Sequence, residues 1–307
     1  MNKMKKVVVV GSINMDLVTM CQRVPEAGET IFGDKFFQVP GGKGANQGVA
    51  IGKLGTNVTM LGKVGNDSFG NDLINSMKNS GVNTDYIERS ESSTGIAKIV
   101  VEANGQNRIL VVSGANMDVD KDYIDRHIDV IKEADIVVTQ LELPLLTVEY
   151  ALEKAKEFGK ITILNPAPAA PLSEKMIKSS DIIIPNETEL SMITRMATDT
   201  EDEIKAACEK LLAKGVKELI VTLGSKGSLH VNREKSEFHS AYIVKAVDTT
   251  AAGDSFIGGF VKALNGDNID VAIEFGTKVS AIAVTRIGAQ SSIPTLEEVN
   301  EFKGVKR

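Results

Sequence analysis

The sequence predicts an α/β fold: a central, mostly parallel β-sheet flanked by helices, carrying a small β-sheet lid. Three observations predict it. Short β-branched runs alternate with amphipathic segments of helical length, the pattern of βα units in a parallel sheet. The first run, residues 7–10, is apolar without alternation, as in a strand buried on both faces. Two stretches, about 15–40 and about 95–113, interrupt the alternation with extended pieces and a hairpin signal. The 307 residues read as one α/β domain, with the lid built from those two insertions.

Taken in order, residues 7–10 form the first strand, ending in Gly11-Ser12-Ile13-Asn14-Met15-Asp16. Ligands of open α/β sheets bind beyond the carboxyl ends of the strands, so Asn14 and Asp16 are placed to hydrogen-bond a polar ligand, or else form an ordinary Asx turn. Residues 17–39 show no helical period and read as short extended pieces. Pro40-Gly41-Gly42-Lys43-Gly44-Ala45-Asn46-Gln47 follows, where glycines let backbone approach a ligand and Lys43 and Asn46 suit hydroxyl groups. A helix is expected over 45–54. Strands are expected at 58–61, 136–139, 161–164, 182–184 and 219–222, and helices at 69–77, 145–158 and 204–212. The second insertion pairs 96–101 with 108–112 across Asn104-Gly105. Polar groups recur at the strand ends: Glu142, Asn186 and Glu189, and Thr222 to Gly227. Residues 242–244 read as a short strand, 270–286 as helix, and 297–306 as partly helical. Neither a Walker A loop nor the G-x-G-x-x-G fingerprint occurs, which argues against a dinucleotide oxidoreductase.

Val247-Asp248-Thr249-Thr250-Ala251-Ala252-Gly253-Asp254-Ser255-Phe256 is the most informative stretch. Phe256, Phe260, Val261 and Leu264 fall at helical spacing behind it. A helix starting at Gly253 aims free N–H groups and its positive dipole end at whatever lies in front, which makes an anion site. Asp254 sits in the first turn beside that site. An anion hole beside a carboxylate suits phosphoryl transfer, while the plainer alternative is a helix cap.

Hydrophobic content of 42% and charged content of 25% are ordinary for a soluble globular protein. A net charge of −6, from 35 basic and 41 acidic residues, argues against a nucleic-acid partner. No apolar segment reaches membrane-spanning length, so no membrane association is expected. The basic stretch Met1-Asn2-Lys3-Met4-Lys5-Lys6 precedes an apolar run too short for a signal peptide. Cys21 and Cys208 read as free thiols of a reducing, cytoplasmic compartment. His127, His230 and His239 are scattered, so neither a histidine metal site nor a Ser/His/Asp triad is expected.

Over essentially its whole length the sequence resembles the ribokinase family of sugar kinases. The resemblance is carried by Gly41-Gly42-Lys43-Gly44-Ala45-Asn46-Gln47 and Asp248-Thr249-Thr250-Ala251-Ala252-Gly253-Asp254. Gly11-Ser12-Ile13-Asn14-Met15-Asp16 and Thr285-Arg286-Ile287-Gly288-Ala289-Gln290 add to it. It implies a ribokinase-like, Rossmann-type three-layer fold and transfer of the ATP γ-phosphate to the 5-hydroxyl of D-ribose. Asp254 would be the general base, and the amides of Ala251, Ala252 and Gly253 the anion hole. Asn14, Asp16, Gly42, Lys43, Asn46 and Glu142 would hold the sugar. Asn186, Thr222, Gly224, Ser225, Gly227 and Gly253 would surround ATP, with Thr277 where the family often has His or Asn near adenine. Mg2+ would bridge the phosphates with Glu189 nearby through water. K+ would sit among Asp248, Thr250, Ala283, Arg286, Gly288 and Ser292. The lid would pair two subunits into a homodimer. The alternatives are a kinase for deoxyribose, fructose, adenosine or another sugar or nucleoside, and a non-catalytic sugar sensor, which would need neither Asp254 nor the anion hole.

Overall fold

β1 (Lys6–Val10) sends Val7 and Val9 to one face of the main sheet and Val8 and Val10 to the other, as the two-residue period of a strand requires. The computed structural model describes residues 5–266 and 268–306, so the first four residues of the basic N-terminal stretch lie outside it. After β1 come β2 (Asn14–Cys21), β3 (Lys35–Gly41), α1 (Lys43–Lys53), β4 (Asn57–Gly65) and α2 (Ser68–Asn79). Then follow β5 (Val82–Asn83), β6 (Ile87–Ser90), β7 (Gly95–Glu102), β8 (Asn107–Val112), α3 (Lys121–Arg126) and α4 (Ile128–Glu133). The middle of the chain forms β9 (Ile136–Thr139), α5 (Leu145–Glu157), β10 (Ile161–Leu164), α6 (Glu174–Ser179), β11 (Ile182–Ile183), α7 (Glu187–Thr194) and α8 (Glu201–Leu212). The last part forms β12 (Glu218–Thr222), β13 (Gly227–Val231), β14 (Ser236–Ser240), α9 (Ala252–Ala263), α10 (Ile269–Ala283) and α11 (Leu296–Glu301).

The main sheet runs β14-β13-β12-β11-β10-β9-β1-β4-β5, with β6 also on β4. Its pairings are parallel except at the β12-β13-β14 end. One apolar layer lies between this sheet and α3 to α8. The other lies between the sheet and α1, α2, α9 and α10. This is the three-layer α/β arrangement expected from the alternation. A separate four-stranded sheet, β3-β2-β7-β8, is built from the two insertions. Asn14 and Asp16 belong to its strand β2, so they stand where the small sheet joins the end of β1. Among the described residues no helix is long and apolar enough to cross a membrane.

Residues 242–244, expected as a strand, do not form one. The sheet strand ends at Ser240, and the backbone of Ile243 instead donates to Val305 of the C-terminal tail (2.8 Å). The β13–β14 hairpin was not anticipated, because its turn residues carry no Asn-Gly or Asp-Gly signal. It also corrects the expectation of scattered histidines, since it sets His230 and His239 on adjacent strands. Cys21 and Cys208 are free and buried, and burial pushes the Cys208 thiol up to about 12.

Candidate active site

α9 begins where Ala251 takes a left-handed backbone (φ 56°) and the chain turns into the helix. The turn puts Asp254, 7% exposed, in the first helical turn with its carboxylate facing α1. Asn46 Nδ2 donates to one carboxylate oxygen at 3.1 Å and Gln47 Nε2 to the other at 2.9 Å. Gln47 is held in turn: its carbonyl accepts from Gln140 Nε2 (2.6 Å) and its amide also donates to Asn165 Oδ1 (3.2 Å). Asn165 donates on to the Ile184 carbonyl (3.0 Å). Gln140 and Asn165 follow directly on β9 and β10, so strand ends of the sheet fix the orientation of Asp254. Gln47 was expected only as part of the glycine-rich motif, and Gln140 and Asn165 had no role in the sequence expectation. Their signal was position, since each sits at a strand end or in the glycine-rich motif.

The sugar-side residues predicted from sequence converge here. α1 starts at Lys43, two residues earlier than expected, because Gly42 (φ 87°) turns the chain against the backbone of Ser12 to Asn14. Glu142 accepts from the Lys43 amide (3.0 Å) and from Ser12 Oγ. Asn14 Oδ1 accepts from Asn116 Nδ2 (2.7 Å), whose own Oδ1 accepts from the Ile13 amide (2.9 Å). Asn116, about a hundred residues away in a short 3-10 segment, carried no sequence signal. Asn46 Oδ1 is buried with no hydrogen-bond partner, an acceptor left open for a hydroxyl.

The site is rich in charge. Burial, reinforced by the nearby charges of Glu142 and Asp254, raises the Asp16 carboxyl to about 7 despite Lys43. Burial works against the Lys43 ammonium, but Asp254, Glu142, Glu189 and Asp16 outweigh it and hold its pKa above the usual lysine value. Glu189 is raised by burial in the first place, with Asp254 contributing. Glu189 and Asn186 cap α7 reciprocally: Asn186 Oδ1 accepts from the Glu189 amide (2.8 Å), and Glu189 accepts from the Asn186 amide (2.9 Å).

On the other side of α9 lies a cavity of about 500 Å3, within the usual range for small-molecule sites. Asn186, Thr222, Gly224, Ser225, Gly227, Gly253 and Thr277 all line it. Its apolar wall includes Phe256, Ala281 and Val284, which the sequence reading did not assign. Thr277 spends its hydroxyl on the Ile273 carbonyl (2.8 Å), so it presents mainly its methyl group to a ring. Gly253 is exposed, lines the cavity, and would place a side chain against nothing within 4 Å, so the first turn of α9 is open there. Ala252 differs from the expected anion hole, because its amide donates to the Thr249 carbonyl (3.2 Å) within the turn.

Of the predicted cation residues, Asp248, Thr250 and Gly288 are joined directly. Asp248 accepts from the Thr250 amide (2.9 Å), the Thr250 hydroxyl (2.6 Å) and the Gly288 amide (2.9 Å), tying the 248–250 loop to the 283–292 loop. Burial alone would raise the Asp248 carboxyl, yet these bonds hold it below the usual carboxylate value. Arg286 pairs with Glu298 (2.7 Å), so the guanidinium is committed elsewhere and only its carbonyl is on offer. Buried Ser292 donates to the Ala289 carbonyl (2.8 Å).

Comparison with known proteins places the chain in a family. Residues 4–296 match the model of the pfkB family of carbohydrate kinases. A ribokinase of Schizosaccharomyces pombe is 44% identical, covering 99% of each chain. A deoxyribokinase of Salmonella typhi is 41% identical, covering 96% of this chain and 98% of that one. The structure of an Arabidopsis thaliana ribokinase complexed with ribose and ATP superposes with a TM-score of 0.92 at 32% identity, over 98% of this chain and all of that one. The chain belongs to the pfkB family of carbohydrate kinases.

Proposed function

We propose that the protein transfers the γ-phosphate of ATP to the 5-hydroxyl of D-ribose, giving D-ribose 5-phosphate. The observation that carries this reading is the placement of Asp254. Its buried carboxylate meets a polar, hydroxyl-matching cluster, and its neighbour Gly253 lines a cavity of nucleotide size, at the start of a helix whose dipole favours an anion. Asn14, Asp16, Lys43, Asn46 and Glu142 hold the sugar hydroxyls, with Gly42 shaping the approach. Asp254 takes the proton of the attacking hydroxyl as the oxygen–phosphorus bond forms and the bond to the ADP oxygen breaks. The free amide of Gly253 and the α9 dipole stabilise charge on the transferring phosphoryl group. Asn46 and Gln47 keep the base aimed at the acceptor.

Glu189 and Asp254 form a carboxylate-rich edge that fits a divalent cation beside the phosphates. Mg2+ bound there would neutralise phosphate charge, with Glu189 holding it through water. The Asp248 carboxylate and the carbonyls of Thr250, Ala283, Arg286 and Gly288, with Ser292, are all-oxygen donors of the kind a K+ ion takes. The reading extends to a homodimer paired through the small sheet.

A deoxyribokinase among relatives of equal standing favours 2-deoxyribose as a second reading. An ADP-release assay across D-ribose, 2-deoxy-D-ribose, fructose and adenosine, with and without K+, separates them. D-ribose should give the highest kcat/KM, and a clear preference for another acceptor overturns the assignment. Asp254→Asn should lower turnover by about 10²–10⁴ while ribose affinity, measured by calorimetry, changes little. Near-native turnover in that variant would refute Asp254 as base.

A further inference from the structure

At the end of the sheet away from Asp254, two buried histidines and a carboxylate share one small space. His230 (1% exposed) comes from β13, His239 (6% exposed) from β14 and Asp270 from the first turn of α10. His230 Nδ1 lies 3.2 Å from Asp270 Oδ1, and His239 Nε2 lies 3.4 Å from the same oxygen. All three atoms lie within 4.8 Å of one another. With metal–ligand bonds of about 2.0–2.1 Å, the edges of a tetrahedral zinc site are roughly 3.3–3.4 Å, which the two histidine–Asp270 separations match. His239 Nε2 is buried and makes no hydrogen bond, so it points into the space with its bonding capacity unused.

The surroundings are built as an outer shell. His230 Nε2, on the far side of its ring, meets Glu218 Oε2 at 2.6 Å, and Asn232 Nδ2 donates to that oxygen at 3.0 Å. His239 Nδ1 faces Glu274 Oε1 at 3.7 Å. A carboxylate on the outer nitrogen fixes a ligating imidazole and raises its basicity. Lys235 holds the other oxygen of Asp270 (2.6 Å), which leaves Oδ1 turned inward. Asp270, Glu218, Glu274 and Glu237 face two lysines, Lys235 and Lys306, so the shell is net negative before a dication enters. His230 and Asp270 also border a solvent cleft of about 980 Å3, an entry path.

We propose that His230, His239 and Asp270 form a three-ligand site for a divalent transition-metal ion of the Zn2+ and Co2+ class, with solvent from the cleft in the fourth position. Two imidazoles select such ions over Mg2+, which prefers oxygen. The ion would join the β13–β14 hairpin to α10. Both elements also line the nucleotide cavity, through Gly227 on one side and Thr277 and Ser280 on the other. The site therefore stiffens the base of that cavity and stabilises the fold without entering the reaction.

The test uses the untagged full chain, stripped with chelator and titrated with Co2+. One equivalent should bind and give the intense visible absorption of four-coordinate Co2+, which Zn2+ displaces and Mg2+ does not. Zn2+ at ten times its Kd should raise Tm measurably. His239→Gln and the His230→Gln/His239→Gln double variant should lose both signals while keeping sugar-kinase turnover, which reports that they fold. Absence of stoichiometric Co2+ binding in the native chain overturns the proposal. So does a weak six-coordinate spectrum, or an undiminished signal in the double variant.

Discussion

Asp16 titrates in the middle of the working pH range, and the sign of that effect is fixed by its surroundings. Its folded pKa of about 7 stands above the ordinary 3.8 because of burial and the neighbouring carboxylates. Between those values the folded chain holds a proton that the unfolded chain has lost, so this group's contribution to stability falls as pH rises through the window. Sugar binding runs the other way, since an ionised carboxylate makes the stronger hydrogen bond to a hydroxyl. The KM for the sugar should therefore be about tenfold higher at pH 6 than at pH 8, and Asp16→Asn should flatten the profile. A native KM that stays constant across that range would remove Asp16 from the sugar contacts. Asp16 and Asp254 drew attention in the sequence through their motifs, although an Asx turn or a helix cap would use the same residue types. Gln47, Gln140 and Asn165 carried no assigned role, because an amide in a helix or at a strand end reads the same whether it orients a base or only satisfies nearby polar groups. Ala252 shows the opposite limit, where the composition of the turn hid which amide the turn itself consumes.

α1 depends on one close backbone contact. A Cβ on Gly44 would lie 2.6 Å from the Cα and carbonyl carbon of Gly11 and from the Ser12 amide, none of which can swing aside. Gly44→Ala must therefore push the first turn of α1 off the end of β1, and that turn carries Lys43, Asn46 and Gln47. Overpacking of this kind costs about 1–3 kcal/mol, so Tm should drop by several degrees and turnover by at least tenfold. Gly48, one turn later, is the control: a Cβ there meets only Met60 Sδ at 3.8 Å and Val82 at 4.0 Å. Gly48→Ala should hold or raise Tm, because alanine is the better helix former by up to about 1 kcal/mol. Equal behaviour of the two variants would mean that the Gly11–Gly44 contact does not set the helix position. At this scale the βα alternation was readable, since buried parallel strands are uniformly apolar and their helices periodic. The elements that escaped were short or partnered from afar. β5 is two residues long, and the apolar run at 242–244 is covered by the C-terminal tail rather than by a sheet neighbour. His230 and His239 looked unrelated because only a hairpin without the usual turn residues joins them.

The small sheet leaves the molecule with an unfinished surface. Register places Phe37, Val18, Ile99 and Ile109 in one row across its four strands. Side chains alternate between faces along a strand, so this row shares a face with Asp16, two residues before Val18 on β2. Phe37 and Ile109 are 40% and 57% exposed, and all six residues of the edge strand β8 are exposed. An open apolar edge of this kind either invites uncontrolled pairing or serves a partner. The partner proposed here is a second copy, which would cover the row and bring the two sites' sugar-side faces together. Sedimentation should therefore show a species of twice the 32.9 kDa chain mass at micromolar concentration. Ile109→Lys places a charge at the exposed β8 end of the row and should shift that species to monomer. The substitution lies on an exposed strand, so the main sheet and its cavity should be unaffected and Tm of the monomer should change little. Because the covered face is the one that carries Asp16, the monomer should bind ribose more weakly, with a higher KM and a smaller change in kcat. A native chain that sediments as monomer would show that the exposed row is covered by something other than its own copy.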